Sequence, residues 1–598
     1  MTHHVAPSVP AASARALCEL SSSTAVDDPN DHLPAGYYMR KDGIYISDNA
    51  DEDAVWLCSP LRLVGDARTP EGSKWSLILQ LLDRDRRWKL HVIPKELFGG
   101  PASKFIAPLL GAGLDLAPGS SARKHLAALL QIWRNETLLL LVDKPGWSDR
   151  EFTTFVLPDG TPIGTQDVIF TKDVTAPAAS SAGSIDDWRN NVGALGVGNR
   201  LLVTAVSVAL AGPLIEMLGE ESVGLHFRGV SSSGKTTLIR AGASVWGPPA
   251  GTGGWNATKN GLEAAAAAAS GTVLVIDEIA EAPTNELGDL LYLLGNGRGK
   301  MRMEVSGSRA TSASWRLGIL SAGEVSVAEH MRIAGRHAKA GHEMRLLDVV
   351  ADDRLYRAFD DLHGSGAPAE FVDRLQRGYS SSYGTAGPAF VRFLIENRHN
   401  VAKYRSMIER ISVAGADSYS VAAGDGQAQR ALRRFALVAL AGYLATGAGI
   451  TGWTPACALR AALETFGAWH ERHKQQPSRS EPDWMAITRS FVEAATAGLE
   501  EAQVGVAAPV PCSFGWLDDD YFYVTREVWQ RHHTKPEEAA RRLDAHGLLK
   551  TNGGGGLQFR MPRSIPRRPW VYAVSVRILD EVGVAAGPFA VVAGSKAA

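Results

Sequence analysis

The stretch Gly229-Val230-Ser231-Ser232-Ser233-Gly234-Lys235-Thr236 restricts what this chain can fold into more than any other. It fits G-x-x-x-x-G-K-[ST], a loop that turns its backbone N–H groups onto phosphate oxygens. Such a loop needs a strand before it and a helix after it. Val223 to Arg228 reads as that strand, and Thr237 onward reads as the helix whose N-terminus favours an anion. Gly229 and Gly234 give the turn its freedom. Lys235 reaches the β- and γ-phosphates, and the Thr236 hydroxyl takes a position on Mg²⁺. Val230, Ser231, Ser232, Ser233 and Thr237 complete the cradle. The implied fold is α/β, a P-loop ATPase core built on a parallel sheet.

Binding a triphosphate is not hydrolysing it. Hydrolysis also needs a carboxylate on the metal at the end of a buried strand, and a base for the attacking water. Thr272-Val273-Leu274-Val275-Ile276 followed by Asp277-Glu278 has that form. Asp277 is read as the Mg²⁺ ligand and Glu278 as the general base. Trp315 to Leu320 reads as a neighbouring strand capped by Ser321, a polar sensor for the γ-phosphate or the water. A cation for the transition state, often given by a neighbouring subunit, is sought among Arg332, Arg336 and Arg345. Arg345 is the first choice because it starts the apolar strand Leu346 to Val350.

Between Asp277 and Ser321 lies Gly295-Asn296-Gly297-Arg298-Gly299-Lys300, continuing to Arg309. Lys300, Arg302 and Glu304 alternate with Met301, Met303 and Val305, which is strand periodicity, and Gly307 makes a turn. A hairpin is therefore expected just before the sensor strand. Arg298, Lys300, Arg302 and Arg309 on it suit the backbone of a DNA strand, and the lack of aromatic residues argues against base recognition.

The remaining chain sets the organisation. Net charge is −2, so no globally basic nucleic-acid binder is indicated, though local basic surfaces remain open. The four cysteines are far apart, which suggests neither a zinc site nor a disulfide framework. Residues 1–34 read as a mobile tail without a secretory signal, and the chain is expected to be cytoplasmic. Leu201 to Leu218 is apolar enough to test as a membrane span, but Pro213, Glu216 and the adjoining phosphate loop favour a buried helix. Residues 35–175 read as a β-rich α+β domain, Thr175 to Ile185 as a linker, and 186–350 as the motor. Residues 351–475 read as a helical domain, with Ala431 to Tyr443 and Pro455 to His473 the clearest runs. In 480–598 the order helix, helix, strand, strand, with glycines at 553–556, reads as a winged-helix-like domain.

The set of motifs at 229–237, Trp255 to Glu263, Asp277-Glu278, Gly295 to Lys300 and Leu320 to Glu324 resembles the bacterial "domain of unknown function 927" family, over about residues 36–473. Its members are helicase-like ATPases of phages, plasmids and integrative elements, similar to superfamily-three and AAA+ motors. The resemblance implies ATP and Mg²⁺ as cofactors, DNA as partner, a homo-oligomeric ring, and a possible primase or initiator partner. Two other functions compete: an AAA+-type protein remodeller, and an initiator scaffold that uses ATP only to assemble. No role for Trp255 to Glu263 follows from the sequence.

Overall fold

The structure, a computed structural model, describes residues 33–47, 54–165, 167–171, 180–283, 286–299, 313–333, 338–475, 484–496, 509–533, 535–552 and 556–579. The tail at 1–32 and residues 175–179 of the expected linker lie outside these residues. The chain divides into two compact units, Met1–Gln475 and Gln476–Ala598.

The first unit begins with a three-stranded antiparallel sheet, Tyr37–Arg40, Gly43–Ile46 and Val55–Cys58, and continues with a five-stranded sheet in the order Val168–Phe170, Leu138–Val142, Leu61–Arg68, Ser76–Leu82, Trp88–Pro94. The last three form an antiparallel meander, and Leu138–Val142 joins it parallel to Leu61–Arg68. Period-2 alternation sorts the faces of Ser76–Leu82. Leu77, Leu79 and Leu81 pack with Phe105, Leu126 and Leu130 of the helices Ser103–Gly111 and Ser120–Ile132. Ile78 faces the other way, against Val92, Leu139 and Ile169.

Three short strands, Gly146–Trp147, Thr154–Val156 and Pro162–Gly164, depart from the expected boundary near 175. They belong by sequence to the β-rich domain but by packing to the motor region. Trp147 Nε1 donates to Pro213 O at 2.9 Å, and Phe155 stacks on Trp246 with ring centroids 6.2 Å apart.

The region expected to be the motor holds a five-stranded parallel sheet in the order Gly253–Gly254, Val273–Asp277, Gly318–Gly323, Val223–Arg228, Leu347–Val350. The apolar helix Arg200–Leu218 packs against it and is the one helix among the described residues long and apolar enough to cross a membrane. It is 94% buried inside the fold over its apolar window. Pro213 has no N–H to give Ala209 O, and Trp246 Nε1 donates there instead, at 2.8 Å. The substitution lets a proline sit inside a fully packed helix.

Residues 351–475 do not form a core of their own. The helices Gly426–Gly447 and Pro455–Gln475 bury Leu437, Leu440, Ala458 and Phe466 in the same cluster as Leu202, Val206 and Leu210. Small residues make this possible, because a Cβ on Gly442 would collide with Ser207 and Ala458.

In the second unit, the helices Trp484–Thr496, Arg526–His532 and Pro536–Ala545 accompany a six-stranded antiparallel sheet. Its strands run Val510–Cys512, Gly515–Leu517, Tyr521–Thr525, Trp570–Ser575 and Leu549–Lys550, with Phe559–Arg560 also paired to Trp570–Ser575. Trp529 stacks on Tyr572 at 4.6 Å and fixes a helix to the sheet. Most of the glycine run (553–555) lies outside the described residues.

Candidate nucleotide site

The strand Val223–Arg228 delivers the chain to Gly229 at the carboxyl edge of the parallel sheet, and the helix Lys235–Ala243 carries it away. Gly234 sits at φ +98°, a left-handed conformation that side chains rarely adopt. A Cβ there would also stand 2.8 Å from the Phe359 ring. Lys235 is buried, and its Nζ donates to Gly229 O at 2.9 Å and Val230 O at 2.7 Å. The ammonium thus lies inside the turn of the loop, on the path where phosphate oxygens would run.

A second segment, 352–363, closes on the loop and was not found from the sequence. The Asp352 carboxylate accepts from Val230 N–H at 2.8 Å, and Ala358 N–H donates to Ser233 O at 3.1 Å. Arg357 Nη1 donates to Ser231 O and Ser232 O at 3.2 and 3.3 Å. The turn itself is gripped by Asn199, which is fully buried. Its Oδ1 accepts from the N–H groups of Asp360 and Asp361, and its Nδ2 donates to Asp361 O and Leu195 O. Between this segment and the loop lies a cavity of about 570 Å³. Ser232 to Thr237 form its polar side, and Leu355, Tyr356, Phe359 and Val372 its apolar side. A volume and lining of that kind suit a nucleoside beside the phosphates.

The strand Val273–Asp277 ends at the same edge. Gly323, the last residue of the intervening strand, joins the two halves. Gly229 N–H donates to Gly323 O at 3.3 Å, and a Cβ on Gly323 would come within 2.7 Å of Ile279 Cγ2. The start of the phosphate loop and the Asp277-Glu278 turn therefore stand on either side of one glycine. Glu278 adopts φ +55°, and its N–H is held by Asp277 Oδ1 at 3.0 Å. Its Oε1 is buried, with no hydrogen-bond partner among the described residues. An unpaired buried carboxylate oxygen is costly unless something polar meets it. Two carboxyl groups at the same sheet edge as a loop that holds a buried ammonium form a donor set that fits a magnesium-bound triphosphate.

Ser321 differs from its expected position. The strand is Gly318–Gly323, not Trp315 to Leu320, so Ser321 lies within it and does not cap it. It is fully buried, level with His226 on one side and Ile276 on the other. Val325 O can only accept, so His226 Nε2, 2.9 Å away, carries the ring proton. Burial holds the His226 pKa down, which keeps the ring neutral. His226 Nδ1 then accepts from the Ser321 hydroxyl at 3.0 Å, and Ser321 Oγ accepts from Trp255 Nε1 at 2.9 Å. Trp255 and Thr258 thus give the motif at 255–263 a physical role: Trp255 ties this relay, and Thr258 caps the helix Lys259–Ala268 by accepting from Gly261 N–H. Ser321→Ala would strand two buried partners and is expected to destabilise the first unit by about 3 kcal/mol. A lowered urea midpoint checks this, and Ser321→Thr should recover part of the loss.

Arg345 also differs from expectation. It ends the helix Ala340–Arg345, and the next strand is Leu347–Val350. It lies at the amino edge of the sheet, opposite the loop. Its Nη1 donates to Gly341 O and its Nη2 to Asn296 Oδ1, both at 2.8 Å, and its guanidinium lies over the Tyr292 ring at 4.1 Å. Arg332 is exposed on the helix Val327–Ile333, directly after the central strand. Arg336 lies outside the described residues.

So do Lys300, Arg302 and Arg309. The base of the insert is described, and there it is paired as a hairpin would be. Arg298 bridges Ser314 antiparallel, Gly299 N–H donates to Ala313 O at 2.7 Å, and Trp315 N–H donates to Gly297 O at 3.0 Å. Arg298 itself is exposed.

Comparison with known proteins agrees with this architecture. A search of curated proteins finds no match. Among solved structures, a chain described as "SCCmec type IV Cch - active helicase" superposes with a TM-score of 0.59 at 16% identity, over 92% of this chain and 99% of that one. That likeness is one of fold. Residues 37–314 match the family model described as "Domain of unknown function (DUF927)", which ends before the strand Gly318–Gly323 and short of the stretch to 473 that the motifs suggest. The similarity to the DUF927 family model thus spans residues 37–314, a little under half of the chain.

Proposed function

We propose that the protein is an ATP-dependent DNA helicase or translocase of a phage, plasmid or integrative element. The observation that carries the reading is the meeting of the phosphate loop and Asp277-Glu278 across Gly323 at one edge of a parallel sheet. A strand order in which Gly318–Gly323 separates the loop strand from the carboxylate strand supports a P-loop core. The likeness to a chain described as an active helicase supports the same class, as does the helicase-like character of the family that the motifs resemble.

In this reading the loop N–H groups and Lys235 Nζ bind the β- and γ-phosphates, and Thr236 with Asp277 would hold Mg²⁺. The metal, when bound, neutralises charge on the β- and γ-oxygens. Glu278 Oε1 takes a proton from water as that water attacks the γ-phosphorus in line, and the bond from the γ-phosphorus to the β–γ bridging oxygen breaks so that ADP leaves. Leu355, Tyr356, Phe359 and Val372 pack the nucleobase. Arg332, exposed beyond the central strand, is the arginine best presented to a neighbouring subunit of a homo-oligomeric ring; Arg345 is held within its own chain by Asn296, Gly341 and Tyr292. Lys300, Arg302 and Arg309, which lie outside the described residues, are proposed to meet one DNA strand from the hairpin expected between Arg298 and Ser314. The helix, helix, strand, strand order at 526–575 supports a winged-helix-like second unit.

The test is steady-state ATP hydrolysis with and without single-stranded DNA. Several-fold stimulation that weakens with salt is expected. Hydrolysis indifferent to DNA would favour the protein remodeller, and no hydrolysis would favour the assembly scaffold.

A further inference from the structure

From Ala545 to Leu579 the second unit contains Lys550, Arg560, Arg563, Arg567, Arg568 and Arg577 and no aspartate or glutamate, in a chain whose net charge is −2. A stretch so one-sided repels itself unless an anion meets it. Most of these arginines sit on one ordered turn, Met561 to Trp570. Met561 N–H donates to Pro569 O, Ile565 N–H to Pro562 O and Arg568 N–H to Ile565 O, at 3.1 to 3.2 Å. Met561 and Ile565 are buried beneath it, and Pro562, Pro566 and Pro569 stiffen it. Arg567 and Arg568 occupy consecutive left-handed conformations, at φ +64° and +42°, which side chains adopt only against a cost. The turn is therefore preorganised and holds Arg563 and Arg567 out to solvent.

An aromatic surface adjoins it. Trp570 is 49% exposed, an unusual position for a tryptophan on a sheet strand, and Arg560 lies over its ring at 5.7 Å as its cross-strand partner. On the opposite face of the same sheet, Lys550 Nζ lies over Tyr521 at 4.4 Å and Phe559 at 5.1 Å. Cations beside a half-open indole suit a chain of phosphates with unpaired bases, since the guanidinium groups meet the backbone and the indole offers a stacking face.

We propose that the Met561–Trp570 turn and Arg560 form a second nucleic-acid site, separate from the motor, which grips single-stranded DNA through Arg563 and Arg567 and stacks a base on Trp570. This goes beyond the helicase reading and does not need ATP hydrolysis. The test is fluorescence anisotropy of a labelled oligonucleotide with the full chain, without nucleotide, across a salt series. Arg563→Gln/Arg567→Gln should weaken binding about tenfold and flatten the slope of log K against log salt by about 1.4, since each phosphate contact on a single strand contributes about 0.7. Arg563→Lys/Arg567→Lys should keep both affinity and slope. Trp570→Ala should weaken single-strand binding about tenfold and affect duplex binding much less. Unchanged affinity and slope in the double glutamine variant, with unchanged circular dichroism, would overturn the site. Equal loss on duplex and single strand in Trp570→Ala would overturn the stacking role. Basal ATP hydrolysis, measured on the same samples, reports on the motor independently.

Discussion

Glu278→Gln is expected to lower the turnover of ATP by roughly 10²–10⁴-fold while leaving nucleotide binding intact. Glutamine has nearly the same shape and keeps the backbone hydrogen bond from Glu278 N–H to Asp277 Oδ1. What it loses is the proton affinity of Oε1, the buried oxygen with no partner among the described residues. The left-handed backbone at Glu278 costs on the order of 1 kcal/mol for a non-glycine residue. Lys235 and Thr236 are untouched, so a fluorescent ATP analogue should bind as in the wild type. Phosphate release measured alongside separates the two effects. Turnover within a few-fold of wild type would remove Glu278 from the role of base.

Asn199→Ala is expected to produce the largest effect on the architecture of the site. The buried amide makes four hydrogen bonds to backbone groups. Alanine would leave two N–H groups and two carbonyls of the chain without it, at a cost of about 3 kcal/mol after water partly compensates. The 360–361 turn would open first, because Asn199 is what joins it to the start of the helix Arg200–Leu218. Hydrogen exchange at 358–363 should accelerate by about 10²-fold. Nucleotide affinity should fall as well, since Leu355, Tyr356 and Phe359 line the cavity. Asn199→Asp, which keeps the acceptor for Asp360 and Asp361 N–H but loses the donor, should fall between the two. Unchanged exchange in Asn199→Ala would mean that Asp352 and Ala358 hold the segment to the loop unaided.

The two halves of the candidate site were unequally legible. The phosphate loop and Asp277-Glu278 are local: a few adjacent residues carry the whole requirement, so residue type and order suffice. The expected strands Val223–Arg228 and Val273–Asp277 appear where the apolar runs predicted them. The segment 352–363 depends on partners 122 and 162 positions away, Val230 and Asn199, and periodicity is blind to such pairs. Ser321 misled for the same reason. A serine after an apolar run looks like a strand end, but Trp255 and His226, 66 and 95 residues distant, supply an interior place for its hydroxyl. The helices of 426–475 looked like a separate domain because amphipathic spacing says which face is buried and not against what. Ala- and Gly-lined faces brought them into one core with Arg200–Leu218.

Strand displacement from a forked DNA substrate tests the central claim most directly. The account predicts release of the labelled strand with ATP and Mg²⁺, no release with Glu278→Gln, and a dependence on which single-stranded arm the fork presents. No displacement by the wild type on either arm, under conditions in which it hydrolyses ATP, would contradict it.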